Sequence, residues 1–297
     1  MRHYGEPLAD SSALPTYYVS RLASRHVKMV LSGDGGDENF AGYATYQNVL
    51  WEHRPPRGRL ASARFALGSV ARALGLRPPL PRPEETWFDS VAYFGEGLRS
   101  RLWRPEYRTS AAASRRWFRR CMDRAPATDV CSRFQYVDFQ TYLPNDILTK
   151  VDIASMCHGL EVRVPLLDHQ LVELVAQIPW TLKLHAEPDG SDPEWPAHTT
   201  KYLLKKLAEH YLPRQVLHRP KQGFSIPLGE WIRDLGRDVL RDRLQGPLTE
   251  WLDPQTTGQL IEEHHTGADH GPRLWSLLVL AEWLNQAHEA PRRAATA

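Results

Sequence analysis

The sequence predicts a predominantly helical chain with a short strand that runs into an acidic, glycine-rich turn. Val27, Met29, Val30 and Leu31 form a short apolar run that reads as a buried strand. It opens directly into Ser32-Gly33-Asp34-Gly35-Gly36-Asp37-Glu38, where glycine frees the backbone and acids crowd together. From about 132 to 240, by contrast, apolar spacing is mostly helical. In open α/β sheets ligands sit just beyond the carboxyl ends of strands, so the acidic turn predicts a small-molecule site. Asp34, Asp37 and Glu38 would bring about three negative charges there near neutral pH. Such a cluster asks for Mg²⁺ or a cationic group, and a nucleotide with its metal is the natural candidate. A solvated turn would have the same composition. The spacing does not suit an EF-hand loop, which needs alternating ligands and an acid at its twelfth position.

The remaining elements follow in order. Residues 11–26 read as a helix, with Leu14, Tyr17, Tyr18, Leu22 and Ala23 at helical spacing and Asp10, Ser11 or Ser12 as its cap. A further helix starts near Glu38. Residues 52–86 are rich in Arg, Pro and Ala and read as a variable insertion; proline makes 77–85 extended or irregular. Its basic residues fit a binding surface or, more simply, a solvated segment. Phe134, Val137, Asp138, Tyr142 and Leu143 suggest a helix, 187–196 a loop, and Arg273 to His288 a final helix that docks on the core. A frayed tail is expected from Pro291.

Composition excludes several classes. The chain has 297 residues, 42% of them hydrophobic, enough for a real core. Its 37 basic and 35 acidic residues nearly balance at +2, which gives no nucleic-acid or membrane signal. No stretch of about 18 apolar residues suggests a membrane span, and the N-terminus lacks the apolar core of a signal peptide. Cys121, Cys131 and Cys157 form no CxxC pair and read as reduced thiols, so a cytoplasmic location is expected. Glu262, Glu263, His264, His265 and His270 resemble a metal cluster only superficially. Adjacent histidines point to different helix faces, and the i, i+4 pairing of HExxH is missing.

Three blocks, in order, closely resemble the glutamine-hydrolysing asparagine synthetase family. They are Leu31 to Tyr43 (LSGDGGDENFAGY), Tyr142 to Asp168 (YLPNDILTKVDIASMCHGLEVRVPLLD) and Lys201 to Trp231 (KYLLKKLAEHYLPRQVLHRPKQGFSIPLGEW). The run Glu6 to Pro15 also fits, so the resemblance covers nearly the whole chain. It implies an α/β protein of the adenine nucleotide α-hydrolase-like fold with a parallel sheet. The family's glutaminase domain with its N-terminal cysteine, and its Ser-Gly-Gly-x-Asp-Ser pyrophosphate loop, have no counterpart in the sequence. Residues 1–290 are therefore expected to be the C-terminal part of a synthetase domain, predominantly helical with an incomplete sheet, and 291–297 a disordered tail. Losing the first strands should expose a sheet edge and apolar helix faces.

The family's chemistry, so implied, is adenylation of the side-chain carboxylate of aspartate by ATP and attack by glutamine-derived ammonia. By resemblance, Asp37 helps hold Mg²⁺, Ser32 and Gly33 lie close to ATP, and Asp34 stands near the reacting acyl group, where it could take a proton. Lys221 matches the lysine that stabilises the pyrophosphate leaving group, against the plainer reading of a surface lysine. Glu161, Arg163 and Glu38 are expected to act on the substrate or organise the pocket, although Glu161 and Arg163 could equally be a buried structural ion pair. Asp152 and Asp168 could simply cap helices. Three readings stay open: part of an asparagine-forming enzyme that is longer or has a partner chain supplying the other half, a branch that amidates or cyclises another carboxylate, or a non-catalytic remnant or binding module. The isolated chain is expected to bind ATP weakly without turnover.

Overall fold

The computed structural model describes residues 3–53, 67, 82–110, 113–187, 197–219, 223–244, 246 and 248–294. The chain opens with α1 (Ala13–Ala23), then β1 (Met29–Leu31), α2 (Gly36–Asn39) and α3 (Ala44–Glu52). There follow α4 (Pro83–Val91), α5 (Glu96–Leu102), α6 (Ala113–Arg124) and α7 (Val130–Gln140). A π-helical stretch, Leu143–Leu148, leads into α8 (Thr149–Met156) and β2 (Glu161–Arg163). Beyond lie α9 (His169–Ala176), α10 (Trp180–Lys183), β3 (His185–Glu187), β4 (Ala197–Thr199), α11 (Tyr202–Ala208) and α12 (Arg214–Leu217). The chain closes with α13 (Leu228–Leu235), α14 (Arg237–Leu244), α15 (Pro254–His265) and α16 (Gly271–Ala294).

The class is the expected one, α/β with helices dominant. β1 and β2 pair in parallel, with Val30 opposite Val162, and the connection between them carries α2 to α8. β3 and β4 form a small antiparallel pair. Among the described residues no helix is long and apolar enough to cross a membrane.

Two apolar cores hold the helices. One gathers α13 to α16 around Ile232, Leu240, Leu244, Ile261, Leu274 and Leu277. The other lies behind the acidic turn, where Tyr46 of α3, Trp87 of α4, Phe118 of α6 and Phe134 of α7 meet. Trp87 stacks on Phe134 with ring centroids 4.3 Å apart, an offset geometry that adds to the burial of both rings. Asp129 caps α7 by accepting from the Ser132 N–H at 2.8 Å, which fixes where this central helix begins.

The structure departs from three expectations. The strand at 27–31 is not buried: Met29 is 40% and Leu31 67% exposed. A parallel sheet normally has both faces covered, and β1 among the described residues has one partner strand only. Residues 82–85 are not extended, because Pro83 occupies the first turn of α4, where its missing N–H costs nothing, and Glu85 reaches back to the Arg82 N–H. The last helix runs through Pro291 to Ala294. The rest of the 52–86 insertion (apart from 52–53 and 67), the 188–196 loop and 295–297 lie outside the described residues. Truncating Trp87 to Ala should destabilise the fold by about 3–5 kcal/mol. Urea unfolding would show this as a lower midpoint, and an unchanged midpoint would mean the second core does not hold α3, α4 and α7 together.

Candidate active site

The acidic turn is built by the end of β1. The Ser32 N–H continues the ladder by donating to the Arg163 carbonyl at 2.9 Å. The chain then reverses through Gly33 to Gly35, and Gly35 takes φ +81°, a left-handed conformation that glycine adopts without penalty. A side chain at Gly35 would also collide with Leu167. The single turn of α2 follows and presents Asp37 and Glu38. It is clamped from three directions. Asn39 Nδ2 donates to the Leu166 carbonyl at 2.7 Å. Gln135 Nε2, buried on α7, donates to the carbonyls of Glu38 and Asn39 at 2.5 and 2.9 Å. The Lys201 N–H donates to the Phe40 carbonyl at 3.1 Å.

Each acid has its own partner. Ser32 Oγ donates to Asp34 Oδ2 at 2.5 Å. Lys201 Nζ lies 3.0 Å from Asp37 Oδ2. Glu38 is 1% exposed and accepts the Tyr43 hydroxyl at 2.5 Å. Burial pushes the Glu38 carboxyl above its ordinary range, against the opposing effect of the Tyr43 bond, with Asp37 and Asp34 adding to the rise. Tyr43 is pushed up by burial and by Glu38. The cation that the acidic turn asks for is thus supplied in part by Lys201. Gly42 makes that approach possible, because a Cβ there would collide with both Asp37 and Lys201. The non-glycine residues with left-handed backbone among those described are Ala41 (φ +51°) and Lys201 (φ +55°), and both flank Asp37. Such strain costs on the order of 1–3 kcal/mol per residue and collects at functional sites.

A cleft of about 360 Å³ opens over this turn. Gly33, Asp34, Asp37, Glu38 and Tyr43 line it, with Asp10, Ser12, Tyr142, Lys150, Phe224 and Ser225 from elsewhere in the chain. Asp10 accepts from Lys150 Nζ at 2.6 Å. Burial would raise the Asp10 carboxyl, but the bonds from Lys150 and Ser12 outweigh it and hold the group below its usual value. Neither Lys150, Lys201 nor Gln135 was singled out by sequence reasoning. Lys150 and Lys201 lay inside motif blocks, but nothing in local spacing says which lysine of a block turns inward. Asp10 and Ser12 were expected to cap α1; instead Asp10 turns to Lys150, and Ser12 caps without its side chain.

The predicted residues divide. Ser32 bonds Asp34, and Gly33, Asp34, Asp37 and Glu38 come together in the cleft. Glu161 and Arg163 do not line it. They pair with each other at 2.7 Å on β2 and are both more than half exposed, so the pair is not buried. Residues two apart on a strand share a face, and this face is open. Lys221 lies outside the described residues, but Phe224 and Ser225, just beyond it in sequence, reach the cleft. Asp168 does cap a helix, accepting from the Gln170 N–H at 3.0 Å. His264 is buried against the Gly229 carbonyl at 3.0 Å, and His270 pairs with Glu263 at 2.7 Å.

Hard carboxylate oxygens suit Mg²⁺, which usually takes one or two protein carboxylates together with substrate phosphates and water. Asp37 and Asp34, which both line the cleft, are residues of the type that demand calls for. Among the described residues no group of three metal-ligating side chains is gathered, which such a site does not need.

The asparagine synthase family model matches residues 1–285. A putative glutamine-hydrolysing asparagine synthetase of Mycobacterium tuberculosis is 31% identical over 94% of this chain and 42% of its own length. Glutamine-hydrolysing asparagine synthetase 1 of Bacillus subtilis is 31% identical over 95% of this chain and 44% of its own. Amidase chry2 of Gibberella zeae is 26% identical over 76% of this chain and 36% of its own. The chain spans less than half the length of these curated relatives.

Behind the cleft, Asp138 of α7 accepts the Tyr46 hydroxyl, and burial, reinforced by the charge of Glu38, pushes its carboxyl up to about 7 from 3.8. A raised carboxyl binds its proton more tightly folded than unfolded, so its contribution is full below 3.8 and is lost as pH rises through about 7. Unfolding midpoints measured from pH 4 to 8 should fall over that window, and Asp138→Asn should flatten the fall. Identical pH profiles for the two proteins would refute the assignment.

Proposed function

The chain belongs to the asparagine synthase family, and we propose that its cleft is the nucleotide and acceptor site of an ATP-dependent carboxylate amidation, with aspartate converted to asparagine. One observation carries this reading: residues from all three motif blocks converge on one cleft. The carboxylate oxygen of the acceptor attacks the α-phosphorus of ATP, the α–β phosphoanhydride bond breaks, and pyrophosphate leaves. Ammonia then forms the C–N bond as the acyl–oxygen bond to AMP breaks, and gives up a proton.

Ser32 and Gly33 place backbone and hydroxyl next to the nucleotide, and Ser32 orients Asp34 through its 2.5 Å hydrogen bond. Asp34, in the wall of the cleft, would take the proton from the attacking nitrogen. Asp37 would hold Mg²⁺, whose charge offsets that of the pyrophosphate when it is bound. Lys201 is then the cation beside Asp37 that can turn to a phosphate oxygen, as a compact point charge does. Lys221 has the same assignment by family resemblance. Glu38, buried on Tyr43, supports the turn rather than meeting substrate.

The ammonia is proposed to come from glutamine, and the rest of the phosphate cradle from polypeptide outside these 297 residues, in the same chain or in a partner. The exposed parallel strand favours this. Met29 and Leu31 on β1, with Tyr18 and Leu22 on α1, present apolar surface that a β-strand and helix of that polypeptide would cover. An acceptor other than aspartate remains the second reading, favoured by the amidase among the relatives.

Titration calorimetry should show weak Mg·ATP binding by the 297-residue chain. Asp37→Asn should lower it about tenfold or more, because the variant loses the carboxylate charge assigned to Mg²⁺. Absence of any Mg·ATP binding would sink the nucleotide assignment. Robust ATP–pyrophosphate exchange with aspartate by this chain alone would instead remove the need for a further polypeptide.

A further inference from the structure

One buried cation behind the cleft has no part in the chemistry above. Lys183, the last residue of α10, is 2% exposed and forms no ion pair with a carboxylate among the described residues. Its ammonium donates to Gln135 Oε1 at 3.4 Å. Burial pulls Lys183 below the ordinary lysine value, against the opposing charges of Cys131 and Asp129. An ammonium taken out of water without an ion pair weakens a fold, and a methionine of similar length would fill the space without that penalty. Stability therefore does not explain a lysine at this position.

What the lysine does is orient an amide. Gln135 on α7 donates through its NH2 end to the carbonyls of Glu38 and Asn39 at 2.5 and 2.9 Å. Turned the other way, its oxygen would face two carbonyl oxygens. Lys183 carries donors only, so the Gln135 oxygen must turn to it and the NH2 group to α2. Those two carbonyls belong to the single turn that presents Asp37 and Glu38. The same length of chain takes a second hold. Beyond Lys183, β3 pairs with β4, and just after β4 Lys201 donates its N–H to the Phe40 carbonyl and sets its Nζ beside Asp37.

We propose that Lys183 is a positioning residue: by fixing the Gln135 amide it holds the acidic turn in the shape that takes Mg·ATP, although its own burial weakens the fold. This rests on reading the cleft as the nucleotide site. A lysine kept only for packing makes the opposite demand, since its loss would weaken the fold and leave nucleotide affinity alone.

The test is Lys183→Met in the 297-residue chain, with thermal melting and Mg·ATP calorimetry set beside the wild type. The variant should melt no lower than the wild type and bind Mg·ATP about fivefold or more weakly, the factor that one hydrogen bond to the turn is worth. Gln135→Glu, which still offers Lys183 an acceptor but has no N–H for α2, should weaken Mg·ATP by at least as much. A lower melting temperature or loss of folding in Lys183→Met makes the lysine a packing residue and overturns the proposal. Wild-type affinity in either variant overturns it as well and leaves the nucleotide reading standing. Failure of the wild type itself to bind Mg·ATP removes that reading, and the positioning role with it.

Discussion

Three carboxylates within five residues at the end of one strand are the constraint on which the rest of the site depends. Leaving even one of them buried and unpaired would cost far more than a domain can spare. The chain resolves this in three ways. Asp34 stays at the cleft surface and takes a neighbouring hydroxyl. Asp37 takes a lysine from far along the chain. Glu38 is turned into the interior, takes the Tyr43 phenol and has its carboxyl pushed upward. The neighbouring elements exist in their observed places to make those partners available. α7 brings Gln135 under the α2 carbonyls, and buried Lys183 of α10 in turn donates to Gln135 Oε1 at 3.4 Å.

The opposite situation holds on the outer side of β1. Among the described residues, apolar surface there is left in water. A parallel strand pair with exposed Leu31 and Met29 is at odds with the rule that parallel sheets are covered on both faces. The disagreement is local. The second core behind the cleft is well packed, with Tyr46, Trp87 and Phe134 at 1% exposure or less. The buried support for the acidic turn therefore comes from within the described residues, and these leave its strand uncovered.

How much of this was legible in the sequence follows from the range of each interaction. The strand, the turn and the acids are consecutive, and their chemistry could be read from adjacent residues. The glycines were legible as a class, but the need at Gly42 was not, because the atoms it avoids belong partly to Lys201. Gln135 and Lys150 were hidden for the same reason: each meets its partner across more than ninety residues, and no periodicity encodes such a meeting. The placement of Glu161 and Arg163 went wrong for a different cause. Both sit on one strand face, which was readable, but whether that face is covered depends on chain that pairs elsewhere. Pro83 was read as a breaker when its position at a helix start made it a starter.

Lys201 ties these threads together. Its backbone is held left-handed, at φ +55° and ψ +33°, a conformation that costs a lysine on the order of 1–2 kcal/mol. The return is a fixed ammonium beside Asp37 and a backbone bond to Phe40, next to the equally left-handed Ala41. An exposed ion pair is worth about 0–1 kcal/mol, and this one, with both side chains about one-quarter exposed, is not strong enough by itself to justify two strained residues. Stability therefore does not account for the arrangement. Position does: the strain keeps one cation and one carboxylate within 3.0 Å of each other, and so fixes the acidic turn that follows β1 against the start of α11.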